Sequence, residues 1–225
     1  MSVLNFKAFA GLLMLLLAMA ALIFVPARTL EYWQAWTFLS VYFGCSLAIT
    51  LYLMDRDPQL LRQRLHGGPG AEKDPAQRII MFFTSLGFIG LLILPALDHR
   101  FVWSRMPSYM AIAGDGLVAV GFIAIFFVLK ENTFSSATIE LAPDQKVVST
   151  GPYALVRHPM YAGALVMLLG IPIALGSWWG VLVFVSMMPA IICRLIEEEK
   201  FLARNLLGYA EYLQEVRHRL IPLVW

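Results

Sequence analysis

Apolar residues in this chain gather into long unbroken runs, not into the two-residue alternation of a half-buried strand or the single stripe of a surface helix. Four runs, Phe6 to Val25, Trp33 to Met54, Ile79 to Leu97 and Tyr109 to Leu129, meet the roughly 20 residues a helix needs to cross the apolar core of a bilayer. Two shorter runs, Met160 to Leu175 and Trp178 to Cys193, are parted only by Gly176 and Ser177. They predict a tight helical hairpin that reaches the far side of the membrane and returns. One long kinked span is the alternative, since Pro172 can bend a helix as well as help to end one. The fold class expected is an all-α integral membrane protein with about six transmembrane segments.

Composition supports lipid as the solvent: 60% of the 225 residues are hydrophobic and 14% charged, against roughly half and a quarter in a soluble domain. The cations crowd alternate loops. Arg56, Arg62, Arg64, Lys73 and Arg78 follow the second run; Lys130, Lys146 and Arg157 follow the fourth; Arg194, Lys200, Arg204, Arg217 and Arg219 follow the sixth. The intervening loops hold only Arg28, Arg100 and Arg105. Because Lys and Arg concentrate on the cytoplasmic side, both termini are expected there, which requires an even number of crossings. The first run is longer than a signal-peptide core and is read as a retained span. A net charge of +2 with no basic stripe points away from nucleic acid. Cys45 and Cys193, without a CxxC spacing, read as small core residues, and His66, His99, His158 and His218 are too scattered to suggest a metal site. Asp115 is the one acid well inside an apolar run, close to that run's start, which is little support for a transporter.

After the second run, Asp57 and Pro58 form a helix-start signal followed by Leu60, Leu61 and Leu65 interleaved with Arg62 and Arg64. A short interfacial helix follows, ended by a flexible break at Gly67, Gly68, Pro69 and Gly70. It is either a mobile lid or a snorkelling surface helix. Between Lys130 and His158 the chain leaves the membrane for a length unusual in a connector. There Thr138 to Leu141 and Lys146 to Ser149 flank Ala142, Pro143, Asp144 and Gln145, predicting a small β-hairpin.

The chemistry-bearing residues come next. In GPYALVRHPMYAG, residues 151 to 163, Gly151 can take positive φ, and Pro159 suits the first turn of the fifth segment, so that His158 sits at a helix mouth beside Arg157 and Tyr161. A helix mouth with an added cation attracts an anion; an interfacial anchor is the equal alternative. The sixth segment runs into RLIEEEKFL, residues 194 to 202, in which Arg194 and Glu198 lie four apart on one helical face. An exposed charged extension with an i,i+4 pair is the plainer reading of that stretch.

Taken together, GPYALVRHPMYAG, the hairpin, RLIEEEKFL and the terminal GYAEYLQEVRHRLIPLVW resemble the isoprenylcysteine carboxyl methyltransferase family and its bacterial relatives, including membrane phospholipid methyltransferases. The resemblance covers roughly residues 130–225; the first hundred match only as generic spans. It implies a four-span region, 1–129, forming a substrate channel, and an S-adenosylmethionine-binding region, 130–225, that contains the hairpin 160–193 and a C-terminal helix, in a bacterial inner membrane. Carried over by position, Gln145, Lys146, Val147, Val148, Tyr153, His158, Pro159, Met160, Tyr161 and Glu198 would bind the cofactor, with Thr138 a weaker match. Arg194 and Arg157 would meet the substrate, and Arg194, His158 and Glu198 would carry catalysis. Relatives often have histidine where this chain has Gln145.

The expected partners are a lipophilic small molecule or lipidated substrate and membrane lipid, with neither nucleic acid nor metal. Methyl transfer from a sulfonium proceeds by in-line displacement, so positioning and desolvation dominate. A carboxylate acceptor needs only an orienting cation, whereas an amine or thiol would need His158 or Glu198 as base. The rival readings are an NADPH-dependent membrane reductase of the sterol or steroid type, which would call for more phosphate-binding cations, and a non-enzymatic transporter or scaffold, which would bury more polar residues in mid-membrane.

Overall fold

In the computed structural model, which describes residues 3–225 other than 66, 68, 69, 71, 73, 136, 140, 143 and 223, every long apolar run is a helix. The order is α1 (Val3–Ala27), α2 (Trp33–Arg56), α3 (Pro58–Leu65), α4 (Pro75–Phe101), α5 (Ser108–Glu131), α6 (Pro159–Ala174), α7 (Trp178–Asn205) and α8 (Tyr209–Glu215), with a 3₁₀ turn at Gly151–Ala154 ahead of α6. Helices α1, α2, α4, α5 and α7 are long and apolar enough to cross a membrane, and α6 is a shorter apolar helix. The 16 residues of α6 rise only about 24 Å, less than the full apolar core. The protein is an all-α multi-pass membrane protein.

Side-chain oxygens start three of the helices as their sequences require. Asp57 accepts from Leu60 N at 2.9 Å ahead of Pro58, Asp74 from Ala76 N at 2.7 Å ahead of Pro75, and Ser177 from Gly180 N at 3.1 Å. Between α6 and α7 the chain turns at Gly176, whose φ is +73°. Tyr161, early in α6, reaches Glu198, late in α7, at 2.5 Å. The two helices therefore run antiparallel as a hairpin, and the single kinked span does not form.

Helices α5 and α6 pack most closely, through glycine. Gly114 and Gly121 lie seven apart on α5, and Gly163 and Gly170 lie seven apart on α6. A Cβ on Gly114 would fall 2.2 Å from Ala174 N, and one on Gly121 would fall 2.6 Å from Met167 N. Lipid is as apolar as leucine, so such close packing, more than exclusion of water, holds helices together in a bilayer. The shared core brings Met19 and Ile23 from α1, Phe38 from α2, Leu91 and Leu92 from α4, Val118 from α5 and Ile171 from α6 into one cluster.

Both chain ends lie at the same end of this bundle. Leu4 and Ala8 of α1 pack with Leu60 and Leu61 of α3 and Leu129 of α5. The segment after α8 hydrogen-bonds to the residues before α6: Arg157 N donates to His218 O and His158 N to Arg219 O, each at 2.9 Å. Five helices of membrane-crossing length and the shorter α6 connect these ends.

Two expectations change. No strand forms at 138–141 or 146–149 among the described residues; only the intervening turn is made, with Gln145 N donating to Ala142 O at 3.2 Å and Ala142 N to Gln145 Oε1 at 3.0 Å. Thr138, Ile139, Val147 and Val148 border a cavity instead of pairing in a ladder. Cys193 is exposed on the bundle's outer face, not in the core, while Cys45 is partly buried. The glycine-proline break after α3 includes Gly68 and Pro69, which lie outside the described residues, as do His66, Lys73 and Pro143.

Candidate active site

The site grows from the segment that joins α5 to α6, which is pinned at both ends. At the α5 end, Asn132 Nδ2 donates to Tyr153 Oη at 2.9 Å, and Ser135 Oγ lies 3.2 Å from the same phenol. Gly151 has φ +57° and turns closely over Glu131, whose side chain accepts from the Thr150 hydroxyl; a Cβ there would lie 2.9 Å from Glu131 Cδ. From α8, Tyr212 Oη donates to Tyr153 O at 2.7 Å. Burial pushes the pKa of the phenols of Tyr153, Tyr209 and Tyr212 above the ordinary value, so all three stay protonated donors.

This segment, the start of α6, the last third of α7 and α8 enclose a cavity of about 410 Å³. Every residue singled out from the sequence borders it: Thr138, Gln145, Lys146, Val147, Val148, Tyr153, Arg157, His158, Pro159, Met160, Tyr161, Arg194 and Glu198. Pro159 opens α6 with His158 as its N-cap, and the His158 side chain makes no capping bond. Glu198 accepts from Tyr161 Oη at 2.5 Å, which ties the two arms of the hairpin together beside the cavity.

Behind that wall, Glu199 gathers two arginines and a histidine. His158 Nε2 lies 3.2 Å from Glu199 Oε2, Arg157 Nη1 lies 3.3 Å from Oε1, and Arg219 makes two contacts, Nη2 to Oε1 at 3.0 Å and Nε to Oε2 at 3.2 Å. Bidentate pairing of this kind fixes geometry as well as charge. The contact raises the Arg219 pKa above its ordinary value.

Arg194 and Glu198 share the cavity, as their spacing predicted, but among the described residues the ion pair of Arg194 is with Glu72, not Glu198. Its Nη2 lies 2.6 Å from Glu72, which is only 2% exposed, and its Nη1 donates to Gln77 at 3.1 Å. Glu72 comes from the connection ahead of α4. Its second carboxylate oxygen accepts from Ile139 N at 3.4 Å, so one acid ties the first half of the chain to the α5–α6 segment.

Sequence reading missed Glu199, Arg219, Glu72, Gln77, Arg64, Asn132, Tyr209 and Tyr212. For Glu199 the signal was present: on a helix, one of three consecutive glutamates must face differently from its neighbours, and a cation cluster lay at 157–158 and 217–219. Glu72 and Gln77 carried no such signal, since only the tertiary fold brings them to Arg194.

Residues 109–207 match the family model described as phospholipid methyltransferase. No curated protein matches the chain.

Proposed function

We propose, from the premise that residues 109–207 belong to the phospholipid methyltransferase family, which includes isoprenylcysteine carboxyl methyltransferase-like proteins, that this membrane methyltransferase takes its methyl group from S-adenosylmethionine and passes it to a lipophilic acceptor. The observation that carries the reading is the convergence of Glu198 and four tyrosines, Tyr153, Tyr161, Tyr209 and Tyr212, on one cavity. A carboxylate beside aromatic rings suits a cationic sulfonium, and the backbone of 145–148 with Leu202 and Leu206 offers an apolar wall to the rest of such a molecule. The residues present therefore fit the group.

When bound, S-adenosylmethionine would supply a methyl group on positively charged sulfur, transferable to an acceptor's lone pair with the carbon–sulfur electron pair left on sulfur as a thioether. The chain's own task is to bind, align and exclude water. Glu198, fixed by Tyr161, holds the positive end of the donor. Arg194, fixed by Glu72 and Gln77, orients the acceptor, and Arg157 supports it. His158, oriented by Glu199, accepts the proton when the acceptor is an amine or a thiol. A carboxylate acceptor needs no proton removed. The basic loops favour the cytoplasmic face for the cavity and both termini, where the soluble donor would enter, while the acceptor would enter from the bilayer between helices of the first half.

Calorimetry of S-adenosylhomocysteine binding to the detergent-purified chain tests this reading. Saturable binding that Glu198→Ala and His158→Ala weaken is expected; a folded wild type that binds none of it defeats the proposal.

A further inference from the structure

We propose that Arg64 is the acceptor's anion receptor: it holds a phosphate or carboxylate oxyanion on a membrane-soluble acceptor, and so sets which acceptors the cavity takes. The inference rests on the methyltransferase reading of that cavity. Four cations border it: Arg64, Lys146, Arg157 and Arg194. Two of these are already matched by buried or half-buried acids, Arg194 by Glu72 at 2.6 Å and Arg157 by Glu199 at 3.3 Å. Lys146 is exposed to solvent. Arg64 differs from all three: it is half-buried, and among the described residues no carboxylate lies within ion-pair distance of it. Its one hydrogen bond to a described residue is weak, from Nη1 to Ser135 O at 3.4 Å.

Burial draws the Arg64 pKa below the ordinary arginine value, the condition of a guanidinium short of water and, among the described residues, of a counter-charge. An oxyanion in the cavity supplies that charge, and the planar fork of donors binds phosphate or carboxylate two oxygens at a time. The hydroxyls of Ser135 and Tyr153 line the same part of the wall.

Placement favours the acceptor as the source of the anion. Leu60 and Leu61 bury α3 among apolar residues of α1, α2 and α5, and Arg64 follows one turn later on the same helix, at the height where an apolar bundle gives way to polar groups. Gly67, just beyond, sits so close to the α5–α6 segment that a Cβ would lie 2.8 Å from Ala137 Cβ. Arg64 thus enters the cavity from the first half of the chain, whereas the residues proposed to hold the methyl donor come from the second half. The donor carries a carboxylate of its own, and the experiment separates the two sources.

The full-length chain in detergent, saturated with S-adenosylhomocysteine, is titrated with decyl phosphate, decanoate and neutral decanol, each below micelle-forming concentration. Wild type is expected to bind one of the anionic probes about tenfold or more tightly than decanol, and the preferred probe names the acid group. Arg64→Gln should bring the anionic and neutral probes to parity, and Arg64→Lys should restore part of the preference, with affinity for S-adenosylhomocysteine unchanged in both. Wild-type parity, or a preference that survives in Arg64→Gln, overturns the proposal. So does loss of S-adenosylhomocysteine affinity in a folded Arg64→Gln protein, which would give Arg64 to the donor's carboxylate. If wild type binds no S-adenosylhomocysteine, the methyltransferase reading fails, and the probe comparison run without it still decides whether Arg64 receives an anion.

Discussion

Each end of the α6–α7 hairpin packs around an acid, buried at the turn and half-buried at the open end, and uses it differently. At the turn, Asp98 is 1% exposed and fully spent: it accepts from Ser104 N at 2.7 Å and from the hydroxyls of Ser104 and Ser177 at 2.5 Å each. Beside it Tyr32 donates to Leu175 O at 2.5 Å and stacks on the His99 ring, 3.8 Å away. At the open end, Glu198 is tied to Tyr161 yet still borders a cavity. The chemical groups are alike, and what separates them is the space in front. A buried acid whose partners close around it holds helices in place; one with partners on one side and room on the other is arranged to meet a visitor.

The largest test of that contrast removes the acid at the open end. Glu198→Ala should weaken S-adenosylhomocysteine binding about 100-fold, because a charge-assisted contact to the donor is lost with its tyrosine support. Its melting temperature should fall only slightly, since the cavity already leaves that side of the carboxylate unpacked. The converse test is Asp98→Ala at the turn. It strands two serine hydroxyls and a backbone amide, and should cost about 2 kcal/mol of stability, read as a lower melting temperature with S-adenosylhomocysteine affinity within twofold of wild type. If both variants lose affinity alike, the two ends are not distinct.

Glu199 stands between the extremes. Glu199→Gln keeps the size of the side chain but removes the charge that Arg157, His158 and Arg219 share. Turnover should drop about tenfold through misplaced His158 and Arg157, accompanied by earlier proteolysis after α8, because Arg219 and the backbone pairs at 157–158 hold that segment down. A turnover loss with unchanged proteolysis would make Glu199 a catalytic partner alone.

The same contrast explains how far the sequence could be read. Uninterrupted apolar runs and Gly176–Ser177 made the helices and the hairpin legible, since a bilayer leaves the backbone few options. The thirteen residues expected around the cavity do meet there, because a helix mouth at His158–Pro159 and a charged stretch leaving the membrane at Arg194 are local signals. Glu72 was invisible, as nothing local ties it to a cation 122 positions away. The expected strands failed for a related reason: β-branched residues suit a ladder, but at 138–139 and 147–148 they suit the cavity's apolar wall equally well, and tertiary packing decided. Asp98 carried no local signal beyond following the third apolar run, because its partners Ser104 and Ser177 come from two separate loops.

The smallest effect, and the one that sharpens the contrast most finely, is on alkaline stability. At the open end burial raises the pKa of the phenols of Tyr153, Tyr209 and Tyr212 above the ordinary value, so above a pH of about 10 the folded chain keeps protons that the unfolded chain has released. A raised pKa of this kind gives stability that is whole below the unfolded value and is lost as the pH climbs through the folded one. Melting temperatures measured from about pH 9 to about pH 11 should therefore fall with a slope that reflects these phenols. In Tyr212→Phe the slope should be shallower, even though the loss of the bond to Tyr153 O lowers the whole curve. Asp98→Ala should lower the curve and leave its slope alone, because it removes none of these phenols. An unchanged slope in Tyr212→Phe would mean that the α8 phenol ionises as readily in the fold as in water, and the wall it forms with Tyr153 is then wetter than its burial implies.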